Sequence, residues 1–290
     1  MNNFLILGSN GLLGSSVSPI LSSSNESLVL HTRLGDNQFS AALQNFNEVN
    51  SLLKKTNPKT ILNLAALANV DFCQDPTQAY LGNVKPIENI VSSIKQLNLK
   101  SYFINISTDH LYNAPGISEE ENIDILNNYA FSKYFGEIVA QKINSCSIRT
   151  NFFGKSLNKN KNSFTDWLFQ KLTNGDKIKV FTDVYFNPLS MQSLGKYIDI
   201  LSKTQPNGVL NLGTRMGLSK SNFAYIFAEE LRLPRSKIES IKMSQADFIK
   251  SIRPKDMRMD VSKIESLLEL KMPILADEIK LSALEYLNEI

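Results

Sequence analysis

Three evenly spaced glycines, Gly8, Gly11 and Gly14, constrain this chain more than any other feature. They lie between Phe4-Leu5-Ile6-Leu7, which reads as a buried strand, and Leu12, Leu13, Val17, Ile20 and Leu21, which recur at helical spacing. The order is strand, tight turn, helix. A phosphate suits such a turn, because glycine lets the backbone approach closely and the first-turn N–H groups and dipole of the helix favour negative charge. Gly8, Asn10, Gly11, Leu12 and Gly14 are therefore a candidate seat for a dinucleotide diphosphate. A plain strand-to-helix connection is the alternative on this stretch alone.

The same alternation continues. Strand-like runs at 27–31, 60–64, 101–106, 147–149 and 208–213 are separated by helical patterns at 39–55, 69–97, 128–139 and 189–201. This is the signature of an α/β fold with a parallel sheet. A length of 290 residues allows one large core or two modest domains.

Composition removes several functions. A net charge of +3 without a long basic run excludes nucleic acid as the expected partner. Two cysteines, Cys73 and Cys146, match no metal or disulfide spacing, and two histidines, His31 and His110, are too scattered for a metal site. No stretch approaches the roughly 20 apolar residues of a membrane span, and no charged leader precedes the first strand. A cytoplasmic protein is expected.

The chemistry comes from two later segments. Ser101 to Ile106 is a strand that delivers Ser107-Thr108-Asp109 at its carboxyl end, the edge at which open α/β sheets bind ligands. Asn128-Tyr129-Ala130-Phe131-Ser132-Lys133 opens a helix, so Tyr129 and Lys133, four apart, share one face. A phenol with a pKa near ~10 is a poor acid at neutral pH. A neighbouring ammonium stabilises the phenolate and makes proton exchange with a carbonyl practicable. Lys133 can also bond the nicotinamide ribose, and the Thr108 hydroxyl can hold the substrate oxygen beside Tyr129. Of the nine tyrosines, only Tyr129 has a lysine four residues later. The set predicts ketone reduction.

At the end of the second strand, Thr32-Arg33 marks where the adenosine ribose lies in a doubly wound fold. A basic residue there suits a 2′-phosphate and an acidic one a free 2′-hydroxyl. Arg33 points to NADP(H) in preference to NAD(H), which stays the alternative. The plain reading is a surface arginine beside a turn at Gly35-Asp36.

In this order the motifs resemble those of the extended short-chain dehydrogenase/reductases, and within them the dTDP-4-dehydrorhamnose reductase group. They are G-x-x-G-x-x-G, Asn63-Leu64-Ala65-Ala66, the run from Val70-Asp71 through Cys73 and Pro76 to Asn83-Val84, Ser107-Thr108-Asp109, Tyr129-x-x-x-Lys133, and Arg253-Pro254-Lys255-Asp256. The resemblance implies a Rossmann doubly wound parallel sheet with a smaller, discontinuous α/β substrate-binding domain. Residues 1–151 and about 189–213 would form the first, and about 152–188 with 214–290 the second.

It also implies that Asn63, Ala65 and Ala66 pass beneath the cofactor, and that Thr108, Asp109, His110, Asn151, Tyr185 and Arg253 meet a nucleotide-sugar substrate. Thr182 and Asn187 are further candidates. For Arg253 the alternatives are the diphosphate or a salt bridge fastening the C-terminal helices. For His110 they are substrate or cofactor contact or packing at the pocket wall, and for Cys73 a pocket lining or a small buried apolar residue.

Two departures stand out. The relatives' acidic residue near the adenine is missing from Ala42-Leu43-Gln44-Asn45, and His110 stands where the group carries an aromatic residue. Dehydratase relatives place Asp-Glu after the threonine; Asp109-His110 argues against dehydration. Fucose-type epimerases need a Cys and His pair, and Cys146 falls inside a predicted core strand. The expected activity is NAD(P)H-dependent reduction of the 4-keto group of a nucleotide-linked deoxysugar for surface polysaccharide synthesis. The alternatives are a dinucleotide-binding regulatory subunit without turnover and an epimerase. A homodimer is common among the relatives.

Overall fold

The computed structural model describes residues 3–24, 27–33 and 39–289. The chain begins β1 (Asn3–Leu7), α1 (Leu12–Ser24), β2 (Ser27–Thr32), β3 (Phe39–Ser40), α2 (Phe46–Thr56), β4 (Thr60–Asn63). It continues α3 (Pro76–Asn83), α4 (Lys85–Gln96), β5 (Tyr102–Ile106), α5 (Asn128–Ala140), β6 (Ser145–Thr150), β7 (Phe152–Phe153) and α6 (Phe164–Thr173). After these come β8 (Ile178–Phe181), β9 (Tyr185–Phe186), β10 (Leu189–Ser190), α7 (Met191–Thr204), β11 (Gly208–Leu212) and β12 (Leu218–Ser219). The last are α8 (Lys220–Glu230), β13 (Ile238–Ile241), α9 (Ser262–Leu268) and α10 (Leu275–Ala283).

Seven strands form one sheet in the order β11-β6-β5-β4-β1-β2-β3, with β1 parallel to both β2 and β4. The strand order reverses between β1 and β4, which is the point where doubly wound sheets take their ligands. This is the Rossmann-like α/β fold expected from the alternation of strand and helix patterns. Every residue of β4 and β5 is buried, because a parallel sheet covered on both faces needs continuous apolar strands in place of alternating ones.

The described residues divide into two compact units, one from 1–108, 127–149 and 195–209, the other from 109–126, 150–194 and 210–290. In the first, Leu5, Leu7, Leu53, Ile61, Ile90 and Phe103 belong to a core between sheet and helices. The helix expected from Phe39 starts seven residues later. Phe39-Ser40 pairs with His31-Thr32, and the Asn45 side chain caps α2 by accepting from the N–H groups of Asn47 and Glu48. An N-cap satisfies two otherwise orphaned donors, so it overrides the apolar spacing that ran further back. The turn expected at Gly35-Asp36 lies outside the described residues.

The second unit is built from three two-stranded pairs, β7 with β10, β8 with β13 and β9 with β12. Its core gathers Phe153, Leu168, Phe223, Phe227 and Tyr286, with Phe153 and Phe223 edge to face at 4.8 Å. No described helix is long and apolar enough to cross a membrane.

Candidate active site

The glycine turn is held tightly at two of its three glycines. Gly8 has φ +81°, and a Cβ there would meet the Ala65 backbone nitrogen at 2.9 Å. A Cβ on Gly14 would lie 2.3 Å from the Gly8 carbonyl oxygen, so β1 and α1 close on each other only with glycine at that position. At Gly11 the single near atom is the Gly8 oxygen at 3.2 Å. The fold therefore requires Gly8 and Gly14 more strictly than Gly11, which suits the role of leaving room for a ligand over the start of α1.

Beside the turn, the Gly8 and Ser9 N–H groups and the Ser9 hydroxyl all donate to the His31 carbonyl. This ties β1 to β2. Asn63 Oδ1 accepts from Ala65 N–H while its Nδ2 donates to Asn105, fixing the chain as it leaves β4. His31, Arg33, Ala65 and Ala66 line one cavity of about 250 Å³, together with Leu43 and Gln44 from the segment that lacks the relatives' acidic residue. His31 bonds the Ala41 carbonyl through Nε2, which leaves its buried Nδ1 as an acceptor without a partner among the described residues. Burial lowers the His31 pKa, the Ala41 bond opposing. A cavity with small residues on one wall, a neutral imidazole acceptor and an arginine at the strand end fits the adenosine end of a phosphorylated dinucleotide.

The α5 helix carries the second half of the site. Asn127 caps it by accepting from the Ala130 N–H, which places Tyr129 in the first turn. Lys133 is buried and its Nζ donates to the Ile106 carbonyl at 2.6 Å. That bond fastens the tyrosine-lysine face to the carboxyl end of β5, two residues before Thr108. Burial pulls the Lys133 pKa down to about 8, with the Glu137 carboxylate and Cys73 opposing.

The sign of that shift gives a test. Below about pH 8 the ammonium is present; above it the charge is lost while the unfolded chain keeps its proton up to the ordinary 10.5. Reductive kcat/KM should therefore fall as pH rises through about 8, whereas folding stability should rise between about 8 and 10.5. A pH-rate profile beside urea melts at the same pH values checks both. An alkaline limb near 10.5 would show that burial leaves Lys133 untouched.

Two residues to which the sequence reading gave no role position this face. Glu137, one further step of four along α5, takes both Nε and Nη2 of Arg149, the shortest contact being 2.7 Å, and accepts from the Ser107 hydroxyl. The pair is buried on both sides, with exposures of 2% and 1%. Asn83 donates to Ser132 on α5 and to the Leu67 carbonyl, and accepts from the Leu67 N–H. It thus clamps the Ala65-Ala66-Leu67 segment to α5. The Tyr129, Lys133, Glu137 ladder at spacing four was the available signal for Glu137.

The second unit holds its own polar group. Asn151 Nδ2 donates to Asp109 at 2.6 Å. Burial, with the charges of Lys220 and Arg253 beside it, pushes the His110 pKa down to about 3, so its imidazole is neutral at physiological pH. Asp109 and Arg253 also act on Lys220. Thus Asp109, His110, Asn151 and Arg253 come together, joined by Lys220, a residue that sequence reasoning did not single out. Tyr185 is engaged otherwise: the Arg258 guanidinium lies 4.9 Å over its ring, and Arg258 pairs with Asp256. Asn187 is buried and bonds the backbone of Thr214 and Met259, and Thr182 bonds the Ile241 carbonyl, so both serve the fold of this unit. Cys146 is fully buried in β6, and Cys73 is buried within the single 3₁₀ turn Phe72–Gln74.

The family described as RmlD substrate binding domain matches residues 1–287. No curated protein sequence matches the chain. Among solved structures, a dTDP-4-dehydrorhamnose reductase from Bacillus anthracis in complex with NADP superposes with a TM-score of 0.87 at 20% identity, over 98% of this chain and 100% of that one. A hypothetical dTDP-4-dehydrorhamnose reductase from Sulfolobus tokodaii gives 0.83 at 26% identity, covering 96% and 99%. A UDP-glucose 4-epimerase from Thermus thermophilus in complex with NAD gives 0.83 at 15% identity, covering 99% and 100%.

Proposed function

The chain belongs to the RmlD substrate binding domain family, and we propose that it is an NADPH-dependent reductase of the 4-keto group of a nucleotide-linked deoxysugar. The observation that carries this reading is the bond from Lys133 Nζ to the Ile106 carbonyl, which joins the tyrosine-lysine face to the strand end that bears Thr108. The first unit would hold a reduced nicotinamide, which would supply the hydride when bound. The chain's own residues do the rest. Thr108 orients the ketone oxygen by hydrogen bond, Tyr129 donates its phenolic proton to that oxygen as charge develops on it, and the Lys133 ammonium stabilises the phenolate left behind. Gly8, Asn10, Gly11, Leu12 and Gly14 seat the diphosphate, Asn63, Ala65 and Ala66 floor the cofactor site, and Arg33 takes the 2′-phosphate.

Reduction is favoured over its relatives' reactions by the same residues. Dehydration lacks its glutamate at His110, and that imidazole is neutral. Epimerisation of the Cys and His type lacks an accessible thiol, since Cys146 is inside the sheet. The product, a nucleotide-linked deoxysugar, is a donor for surface polysaccharide synthesis. A homodimer is supported by the exposed Phe131 and Phe135 on α5, which line an apolar groove with Pro76 and Tyr80 of α3.

Titration with NADPH and NADH, followed by a panel of nucleotide 4-keto-6-deoxysugars read at the absorbance of reduced nicotinamide, tests the proposal. Oxidation with one sugar is the expected result; tight cofactor binding without oxidation by any of them would favour the regulatory reading. Arg33→Ala should weaken NADPH about 10- to 100-fold and leave NADH unchanged, the loss of one charge-assisted phosphate contact. Equal effects on both would remove Arg33 from the 2′-phosphate.

A further inference from the structure

The second unit contains a cavity of about 410 Å³ that no part of the catalytic reading uses. Phe164, Trp167, Phe181 and Phe248 form its aromatic walls. They stand as two stacked pairs, Phe164 on Trp167 at 5.9 Å and 15°, and Phe181 on Phe248 at 6.2 Å and 18°. Around them the lining carries Lys171, Lys177, Lys179 and Lys220 and no carboxylate. Flat aromatic surface beside clustered lysines is the chemistry that receives a nucleobase and its phosphates.

Lys220 is set apart from the other three. Its ammonium lies 5.4 Å from the ring centres of both Phe164 and Phe186, so the side chain is held between two aromatic faces. Ser219 caps α8 by accepting from the Asn222 N–H, which fixes the backbone from which Lys220 projects. Lys171, in contrast, is spent on Asp176 at 3.0 Å. Lys220 also feels Asp109 and Arg253, so it belongs both to the aromatic cavity and to the polar group that follows Thr108 in the chain. Two cations and a neutral imidazole there face one carboxylate, already bonded by Asn151. The surplus is positive.

We propose that Lys220 is the residue that receives the diphosphate of the substrate, with the nucleobase seated in the aromatic cavity between the two stacked pairs. This rests on the nucleotide-sugar reading above and adds to it the residue that selects a diphosphate-linked sugar over a free one. Burial lowers the Lys220 pKa, with Asp109 opposing and Arg253 reinforcing, and an arriving diphosphate would raise it.

Trp167, the single tryptophan of the chain, lies in the cavity wall and provides the readout. Titrating the whole protein with dTDP or UDP should give a saturable change in its fluorescence. Lys220→Met, which keeps the stem, should weaken that binding about 10- to 100-fold, the range for losing one charge-assisted contact. Lys220→Arg should restore most of it, while NADPH affinity and the melting temperature stay as in the parent. Thymidine, without phosphates, should bind both proteins equally. Unchanged dTDP affinity in Lys220→Met, in an enzyme that still reduces a nucleotide sugar, would overturn the role of Lys220 and leave the reductase reading standing. If the parent protein binds NADPH but neither a nucleoside diphosphate nor any nucleotide sugar, the reductase reading falls and this proposal with it.

Discussion

Tyr129→Phe is expected to lower the rate of ketone reduction by about 10²- to 10⁴-fold, the contribution of a positioned general acid. The change removes one hydroxyl and keeps the ring. Asn127 still caps α5 and Lys133 still bonds the Ile106 carbonyl, so the helix and its place against β5 are retained. NADPH affinity, measured directly by titration, should therefore stay unchanged, and a single-turnover experiment should assign the loss to chemistry. Turnover at the parent rate would mean that the proton comes from another group. Unchanged biological activity in a variant that no longer reduces any ketone would instead favour a regulatory subunit, since fold does not by itself imply turnover.

The second large effect falls on stability. Glu137→Ala should cost about 3–5 kcal/mol, because it leaves the Arg149 guanidinium buried without its counter-charge. Both side chains are almost wholly inaccessible, and the carboxylate also accepts from Ser107, the residue that follows β5. Urea melts with an unchanged slope and a lower midpoint would report it. Glu137→Gln should cost less, since the amide oxygen still accepts from Ser107 or Arg149. A further readout separates this residue from an ordinary ion pair. Glu137 raises the Lys133 pKa against the pull of burial, so in either variant the alkaline limb of the pH-rate profile should move to lower pH. A loss below about 1 kcal/mol would place the pair with solvent-screened bridges.

The two predictions differ in how visible their residues are before folding. Tyr129 and Lys133 announce themselves by spacing, because four residues along a helix always return to one face. The glycine turn is equally legible: Gly8 and Gly14 answer to steric limits imposed by atoms a few residues away. The alternation of strand and helix likewise pointed to an α/β fold with a parallel sheet, and the family resemblance to its doubly wound order. Where the local reading slipped, at the start of α2, another local signal won, the capping side chain of Asn45.

What the amino-acid order determined, then, was the set of elements, the close glycine turn and the shared face of Tyr129 and Lys133, since each rests on backbone geometry repeated over one or two turns of chain. Tertiary structure alone decided which charges meet. Glu137 and Arg149 are twelve residues apart, Asn83 and Ser132 forty-nine, and Lys220 is far in the chain from the Asp109 and His110 whose field it shares. Sequence spacing carries no information about these pairings, because the strength of each depends on how much water the rest of the fold removes from around it. The same exclusion of water sets the neutral state of His110 and the pKa of Lys133 near 8, so the chemistry of the site is fixed by burial that no single segment specifies.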